Sequence, residues 1–465
     1  MEYEQGKAQS LKGLFNDAGS LSTPDLREHI VEELYRKSGE LAQAGVTFTK
    51  STRDEKTEKL DRIFTSKIFG FPIMLLLLGI VFYVTIAGAN VPSAMLANFF
   101  GVLEGYITMG FEKVGAPDWL HGILVLGLYR GTSWVISVML PPMAIFFPIF
   151  ALLENYGYLP RVAFNMDRLF KIVGAHGKQS LTMAMGFGCN AAAVMSTRII
   201  ESPRERMLAI LTNNFVPCNG RWGTLIVLAS LFLAGSFAGG ARLFIATSVI
   251  VGLVLFGIIM TFAVSWALSK TLLKGVPTHY TLELPPYRRP KVVDVVIRSS
   301  LNQTLSVLIR AVKVAAPAGV LTWVLANIMV GDTSILLHIV GFLDPFGKML
   351  GLDGYILMAF LLGLPANEVV LPILLMGYLS TGAMVDMDGI SGLKRILIEH
   401  GWTWVTALNM MLFSLLHYPC GTTMVNIYKE TKSLKWTFLS FLIPTVIAIA
   451  VTFAVARIAG GFGIL

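Results

Sequence analysis

Three cysteines stand beside helix breakers: Cys189 follows Gly188, Cys218 follows Pro217 and Cys420 follows Pro419. All three lie in apolar stretches and far apart in the chain, too few for a disulfide framework, so they are read as free thiols. Sulfur suits transition metals, whereas carbonyl and carboxylate oxygens alone would also accept magnesium or calcium. A path that selects a divalent transition metal and still releases it combines sulfur with weaker oxygen ligands. Each proline removes a helical hydrogen bond, so the carbonyl one turn earlier is expected to be open to an ion. The competing reading of each cysteine is a small buried hydrophobe.

Other groups complete such a path. Asn190 and Asn367 supply amide oxygens beside the breaks, where an amide also serves to satisfy freed backbone groups. Glu368 lies in the apolar run LLGLPANEVVLPILLM, and a carboxylate in lipid is expensive and functional by default. Its rival role is a structural pair with Lys313 or Arg310. Glu154 ends a long apolar run, either at a pore mouth or at the membrane boundary. His417, three residues before Cys420, is the histidine to place near the path, and Met185, Met195 and Met424 are soft secondary contacts. The charged set Arg198, Glu201, Arg204, Glu205 and Arg206 reads as an interfacial cap, with Glu201 sharing a helical face with Arg204 and Glu205. Its sharper alternative is a gate coupled to a partner.

These residues need a scaffold, and composition names it. The 465 residues are 54% hydrophobic and 14% charged, where soluble domains carry about 25% charged residues. Such a chain belongs in lipid. The fold class expected is an all-α polytopic membrane protein with eight to eleven transmembrane segments, arranged as two pseudo-repeated gate halves with broken or re-entrant helices. The first span is expected at 69–88, long enough for a hydrocarbon core of about 30 Å, with 91–116 interfacial or partly re-entrant. Further apolar runs lie at 119–140, 141–154, 207–218, 222–239, 243–270, 305–330, 334–350, 355–380, 402–420 and 436–458. Broken backbone in lipid must find partners in protein or water and so lines cavities.

The breaks repeat. Gly186-Phe-Gly-Cys-Asn190 followed by Val216-Pro-Cys218 parallels Gly363-Leu-Pro-Ala-Asn-Glu368 followed by Tyr418-Pro-Cys420. Paired interrupted segments in corresponding positions point to a transporter's central site. The chain divides into a polar N-terminal helical segment and connector (1–65), a first membrane half (66–270), a basic polar loop (271–300) and a second half (301–465). Residues 24–45 read as an amphipathic helix with Leu26, Ile30, Leu34 and Leu41 on one face. Residues 155–180 and 270–300 read as basic, cytoplasmic loops. The net charge of +8 is positive-inside topology rather than nucleic-acid binding. The polar start shows no signal peptide, so the N-terminal segment is expected in the cytoplasm.

One family shares these motifs. The run ALLENYGYLPRVAFNMDRLF and then MGFGCNAAAVMSTRIIESPRERMLAILTNNFVPCNGR resembles the first gate region of the ferrous iron transport protein B family. Glu283–Pro290 resembles that family's ELPPYR loop, and Pro365–Glu368 with Pro419-Cys420 resembles its second gate. KLDRIFTSKIFGFPIML at 59–75 resembles its entry into the first span. The likeness runs from roughly residue 25 to 455.

The resemblance implies a transporter, not an enzyme, that carries Fe²⁺ across a bacterial inner membrane. It also implies that the metal ligands are Cys189, Cys218, Cys420, Asn190, Asn367, Glu368 and Glu154, the last matching a family Glu. The family normally begins with a GTPase domain. Here no G-x-x-x-x-G-K-[ST] loop is found, the nearest fragment being Gly177-Lys178. The chain is therefore expected to bind no nucleotide itself. Either a separate small GTPase docks on this chain, with residues 1–65 as its platform, or transport needs no GTP; a small SH3-like accessory protein is a further expected partner, and a homo-oligomer is left open. The alternatives are a nucleoside or nucleobase transporter of the same gate type, which needs no thiols, and a membrane scaffold that carries nothing.

Overall fold

A computed structural model describes residues 23–45, 52–66, 68–235, 239–275, 287–288, 290–384 and 390–461. Among the described residues two helices precede the membrane part: α1 (Thr23–Gly45) and α2 (Thr52–Phe64). On α1 the expected apolar residues Ile30, Leu34 and Leu41 are exposed. Arg36 on the same helix bonds Glu33 at 2.7 Å and Glu40 at 2.8 Å.

Among the described residues six helices are long and apolar enough to cross a membrane: Gly70–Val114 (α3), Asp118–Tyr156 (α4), Pro203–Leu233, Phe244–Lys270, Val292–Asn327 and Leu434–Gly461. A seventh span arises if the pair Ile335–Met349 and Gly354–Leu362, bent by 113°, is taken as one. The expected eight to eleven counted short broken segments as crossings. The stretch 91–116 also differs from expectation, since α3 continues through the exposed Pro92 to Val114. Likewise 119–140 and 141–154 are one helix, running through Pro141, Pro142 and Pro148. One proline costs a helix one donor, which a long apolar helix absorbs without breaking.

The remaining elements are shorter. In the first half they are α5 (Leu159–Ile172), α6 (Gln179–Gly188), α7 (Asn190–Ser196), α8 (Pro203–Thr212) and α9 (Asn219–Leu228). Then α10 (Gly239–Lys270) and α11 (Val292–Asn327) lead into the second half. There follow α12 (Ile335–Met349), α13 (Gly354–Leu362), α14 (Val370–Leu379), α15 (Ile390–Glu399), α16 (Trp404–Leu416), α17 (Gly421–Thr431) and α18 (Leu434–Gly461). Close helix packing is made by small residues, as is usual in lipid. A Cβ on Gly319 of α11 would lie 2.3 Å from the Gly127 carbonyl oxygen of α4.

The stretch 155–180 contains α5 where a loop was expected. Leu159, Val162, Met166 and Phe170 are buried at helical spacing. Arg161 on α5 is buried as well. Its guanidinium donates to both Asp61 carboxylate oxygens, at 2.9 and 3.2 Å, and to the Gly157 carbonyl at 2.7 Å. It stacks on the Tyr287 ring at 4.2 Å. Pairing and hydrogen bonding of this kind offset the cost of burying a charge, and the pair fastens the α2 connector to the first membrane half. Of the ELPPYR-like loop, residues 283–286 and 289 lie outside the described residues.

Candidate functional site

Each cysteine is the residue at which a helix restarts. Cys189 ends α6 in an extended conformation (φ −155°, ψ 117°) and precedes α7. Cys218 (φ −86°, ψ 171°) precedes α9, and Cys420 (φ −61°, ψ 158°) precedes α17. Their carbonyls open the new helices: Cys189 accepts from the Ala193 amide at 3.0 Å, Cys218 from Arg221 at 2.9 Å and Cys420 from Met424 at 3.0 Å. Gly188 is required beside Cys189, because a Cβ there would fall 2.1 Å from the Phe146 ring. Cys189 and Cys218 are buried and Cys420 is half-buried.

The backbone repeats as the sequence does. Ala366 takes the conformation of Cys189 (φ −152°, ψ 122°), and Asn367 opens a helical turn as Asn190 does. The halves are joined crosswise, so that the first break of one meets the second break of the other. The Asn367 amide nitrogen stands 4.0 Å from the Cys218 sulfur. The Glu368 carboxylate lies over Gly220, where a Cβ would be 2.4 Å from Oε1. On the other diagonal, α7 packs on α17, and Asn426 donates to the Ala191 carbonyl at 2.9 Å.

The oxygens around these thiols divide into used and unused. Buried Asn190 Oδ1 and Asn367 Oδ1 have no hydrogen-bond partner among the described residues, although the Asn190 amide nitrogen donates to Asn214 at 3.4 Å. The carbonyls freed by the two prolines, by contrast, are taken. Asn213 accepts from the Val216 amide at 3.4 Å, and Leu415 accepts from Arg221 at 2.8 Å. The expectation of open carbonyls there is therefore not met. Among the described residues no three His, Cys, Asp or Glu side chains gather at metal-binding distance.

The other expected residues fall into place around this core. No basic side chain among the described residues pairs with Glu368. Arg310, its expected rival partner, instead donates to Asn426 Oδ1 at 2.7 Å and contacts the Met195 sulfur at 3.1 Å. Glu154 is exposed near the end of α4. His417 is buried, its ring donating to the Ser414 carbonyl at 2.8 Å and stacked on Phe413. Glu201 precedes the helix that starts at Pro203, so it shares no face with Arg204. It pairs with Lys178 at 3.4 Å, while Arg204 donates to the Leu273 carbonyl at 2.6 Å. Arg198 reaches across the halves to Glu430 at 2.7 Å.

Two groups here were not singled out by the sequence reading. Asn213 is buried with both amide atoms unpartnered among the described residues, close enough to Gly186 that a Cβ there would meet it at 3.1 Å. Arg221 is fully buried three residues after Cys218. The rule that flagged Glu368, that a charge inside an apolar segment is costly, applies equally to Arg221.

The comparisons with known proteins fall on these elements. The Gate model, described as nucleoside recognition, matches residues 136–232 and 308–434, which hold Cys189 and Cys218 in one stretch and Asn367, Glu368 and Cys420 in the other. The model for the ferrous iron transport protein B C terminus matches residues 250–301. An Fe(2+) transporter FeoB of Staphylococcus aureus (strain MSSA476) is 30% identical over 92% of this chain and 62% of its own length. One from Methanocaldococcus jannaschii is 28% identical over 92% of this chain and 62% of its own. An Fe(2+) transport protein A/Fe(2+) transporter FeoB fusion protein of Porphyromonas gingivalis is 28% identical over 89% of the chain and 53% of its own length. The chain thus spans about 62% of the length of the first of these relatives. A solved structure of a CNTnw variant in its intermediate 2 state aligns at a TM-score of 0.40 and 14% identity, over 84% of this chain and 98% of its own, a likeness that decides nothing. With both family models and these relatives laid along it, the chain belongs with the membrane part of the ferrous iron transport protein B family.

Proposed function

We propose that this chain moves Fe²⁺ across a cell membrane through the crossing point of its two broken halves. The ion is handed across by the thiols of Cys189, Cys218 and Cys420, the amide oxygens of Asn190 and Asn367, and the Glu368 carboxylate, which bind it in turn. Glu154 stands apart from this set and acts at the mouth of the path. The observation that carries the reading is the crosswise meeting of the breaks: the Asn367 amide stands 4.0 Å from the Cys218 sulfur, and the half-buried Glu368 carboxylate lies over Gly220, two residues after Cys218. Mixed sulfur and oxygen ligands suit a borderline divalent metal that must also leave. The names of the relatives support Fe²⁺ as the substrate.

The same reading extends to partners and surroundings. The membrane is the bacterial inner membrane, with the N-terminal segment in the cytoplasm. A GTPase supplied by a separate chain drives or gates transport from residues 1–65, and a small accessory protein assists, in keeping with the fusion named in one relative. The domain boundaries at 65, 270 and 300 follow from this division.

The test is anaerobic Fe²⁺ uptake by proteoliposomes containing the full chain, with and without the Cys189→Ser, Cys218→Ser, Cys420→Ser triple substitution. The triple variant is expected to lose uptake while the wild type is unaffected by excess uridine. Full uptake by a folded triple variant would remove the thiol path, and competition by uridine would favour a nucleoside carrier.

A further inference from the structure

Arg221 is fully buried, yet no carboxylate among the described residues pairs with it. Its guanidinium is held by oxygens from both halves. One nitrogen donates to the carbonyls of Asn214 at 2.7 Å and Leu415 at 2.8 Å. Another reaches Asn214 Oδ1 at 3.1 Å and the carbonyls of His417 at 3.2 Å and Tyr418 at 3.3 Å. Leu415 is the residue whose carbonyl Pro419 leaves without a helical donor, and the three second-half carbonyls lie in the last turn of α16 and in the two residues after it, just before Cys420. The C-terminal end of a helix attracts a cation. Arg221 therefore seats the second Pro-Cys break against the first. The Asn214 amide adds a parallel bond to the His417 carbonyl at 2.6 Å.

The position also breaks the repeat. Three residues after Cys420 stands Thr423, whose hydroxyl lies 3.2 Å from the Cys420 sulfur. Three residues after Cys218 stands a permanent positive charge, since arginine does not deprotonate in proteins. Its backbone amide bonds the Cys218 carbonyl at 2.9 Å, and its guanidinium bonds the Tyr418 carbonyl two residues before Cys420. A fixed cation in a low-dielectric interior opposes a second cation more strongly than it would in water. Conduction requires binding weak enough to permit release.

We propose that Arg221 is the positioning residue of this path, a fixed counter-charge that locks the two Pro-Cys breaks together and prevents the thiols from holding a divalent cation too tightly. This rests on the metal-path reading above. A purely structural arginine would lower metal affinity when removed, whereas this one raises it.

The test uses the full chain in lipid nanodiscs with Co²⁺ as probe, read by sulfur-to-cobalt charge-transfer absorption. Arg221→Gln removes the charge and is expected to tighten the Co²⁺ Kd at least tenfold and slow wash-out in proportion. Arg221→Lys keeps the charge with fewer donors, so its Kd should stay within threefold of wild type while its melting temperature falls. Weaker or unchanged Co²⁺ binding by folded Arg221→Gln overturns the proposal. If that variant does not fold, a change of more than tenfold in the Arg221→Lys Kd overturns it instead. A wild type without any charge-transfer band refutes the thiol path itself, whereas a wild-type band with no tightening in Arg221→Gln refutes only the role of Arg221.

Discussion

Glu368 lays its carboxylate directly over the Cα of Gly220, leaving no room there for a side chain. The contact joins the first break of the second half to the helix that restarts at Cys218, so it fixes where the carboxylate lies against that helix. A methyl group at position 220 would have to push the carboxylate aside by about an ångström, and displacements of that size cost groups acting at a site tenfold or more. Gly220→Ala is accordingly expected to cut Fe²⁺ flux in proteoliposomes by about tenfold or more with little change in melting temperature. Wild-type flux in this variant would show that Glu368 need not sit where it does.

Arg161 offers a different kind of test, because it acts on stability rather than on the path. Its side chain is almost wholly buried, whereas Asp61 is about one-fifth exposed. Removing the arginine strands a half-solvated carboxylate and empties the space over Tyr287. Breaking a buried pair by deleting one partner costs about 3–5 kcal/mol, and the partial exposure of Asp61 puts this one near the lower end, about 3 kcal/mol. Arg161→Met should lower the melting temperature of the purified protein, and Asp61→Asn should lower it less. Equal melts for wild type and Arg161→Met would mean that the connector is not held by this pair.

Much of the site was legible in the sequence because breakers announce themselves: Gly188, Pro217 and Pro419 do interrupt helices, and Cys189, Cys218 and Cys420 do stand at the restarts. The helical class was equally plain from apolar run lengths. Span counting was less secure, since Pro92 and Pro141 bend nothing that ends a helix, while the real breaks near 216 and 350 depend on where freed backbone groups find partners. Arg221 escaped notice because its role comes from carbonyls nearly 200 residues away, which no local pattern encodes. Glu201 was misjudged for a local reason, as Pro203 starts the helix two residues later than the charge pattern suggested.

Gly319 and Gly127 predict a packing effect confined to the scaffold. A Cβ at 319 would approach the Gly127 carbonyl oxygen to 2.3 Å, and backbone cannot yield as a flexible side chain can. Gly319→Ala should therefore force α4 and α11 apart and destabilise by about 1–3 kcal/mol. Gly341→Ala on α12 is the matched control, since nothing lies within 4 Å of its added methyl, and Gly→Ala at a compatible helical site stabilises by about 0.4–1 kcal/mol. Thermal melts of the two variants moving in opposite directions would bear this out, and melts moving together would not.

The pair Arg198 and Glu430 ties together the far ends of two helical segments that begin at Cys189 and Cys420. Both nitrogens of Arg198 involved reach the carboxylate, at 2.7 to 3.1 Å, but the arginine side chain is 69% exposed while that of Glu430 is 8% exposed. Water thus screens one partner and not the other, so a double-mutant cycle with Arg198→Gln and Glu430→Gln should give a coupling of about 1 kcal/mol. That coupling should shrink in 1 M salt, where the screening length falls to about 3 Å. Because the pair bridges the halves, its loss should also let the two thiol-bearing restarts move independently. Crosslinking of Cys189 to Cys420 by a short bifunctional thiol reagent is therefore expected to slow in either single variant. An unchanged crosslinking rate with a normal coupling energy would confine the pair to surface stability and remove it from any account of how the halves are held in register.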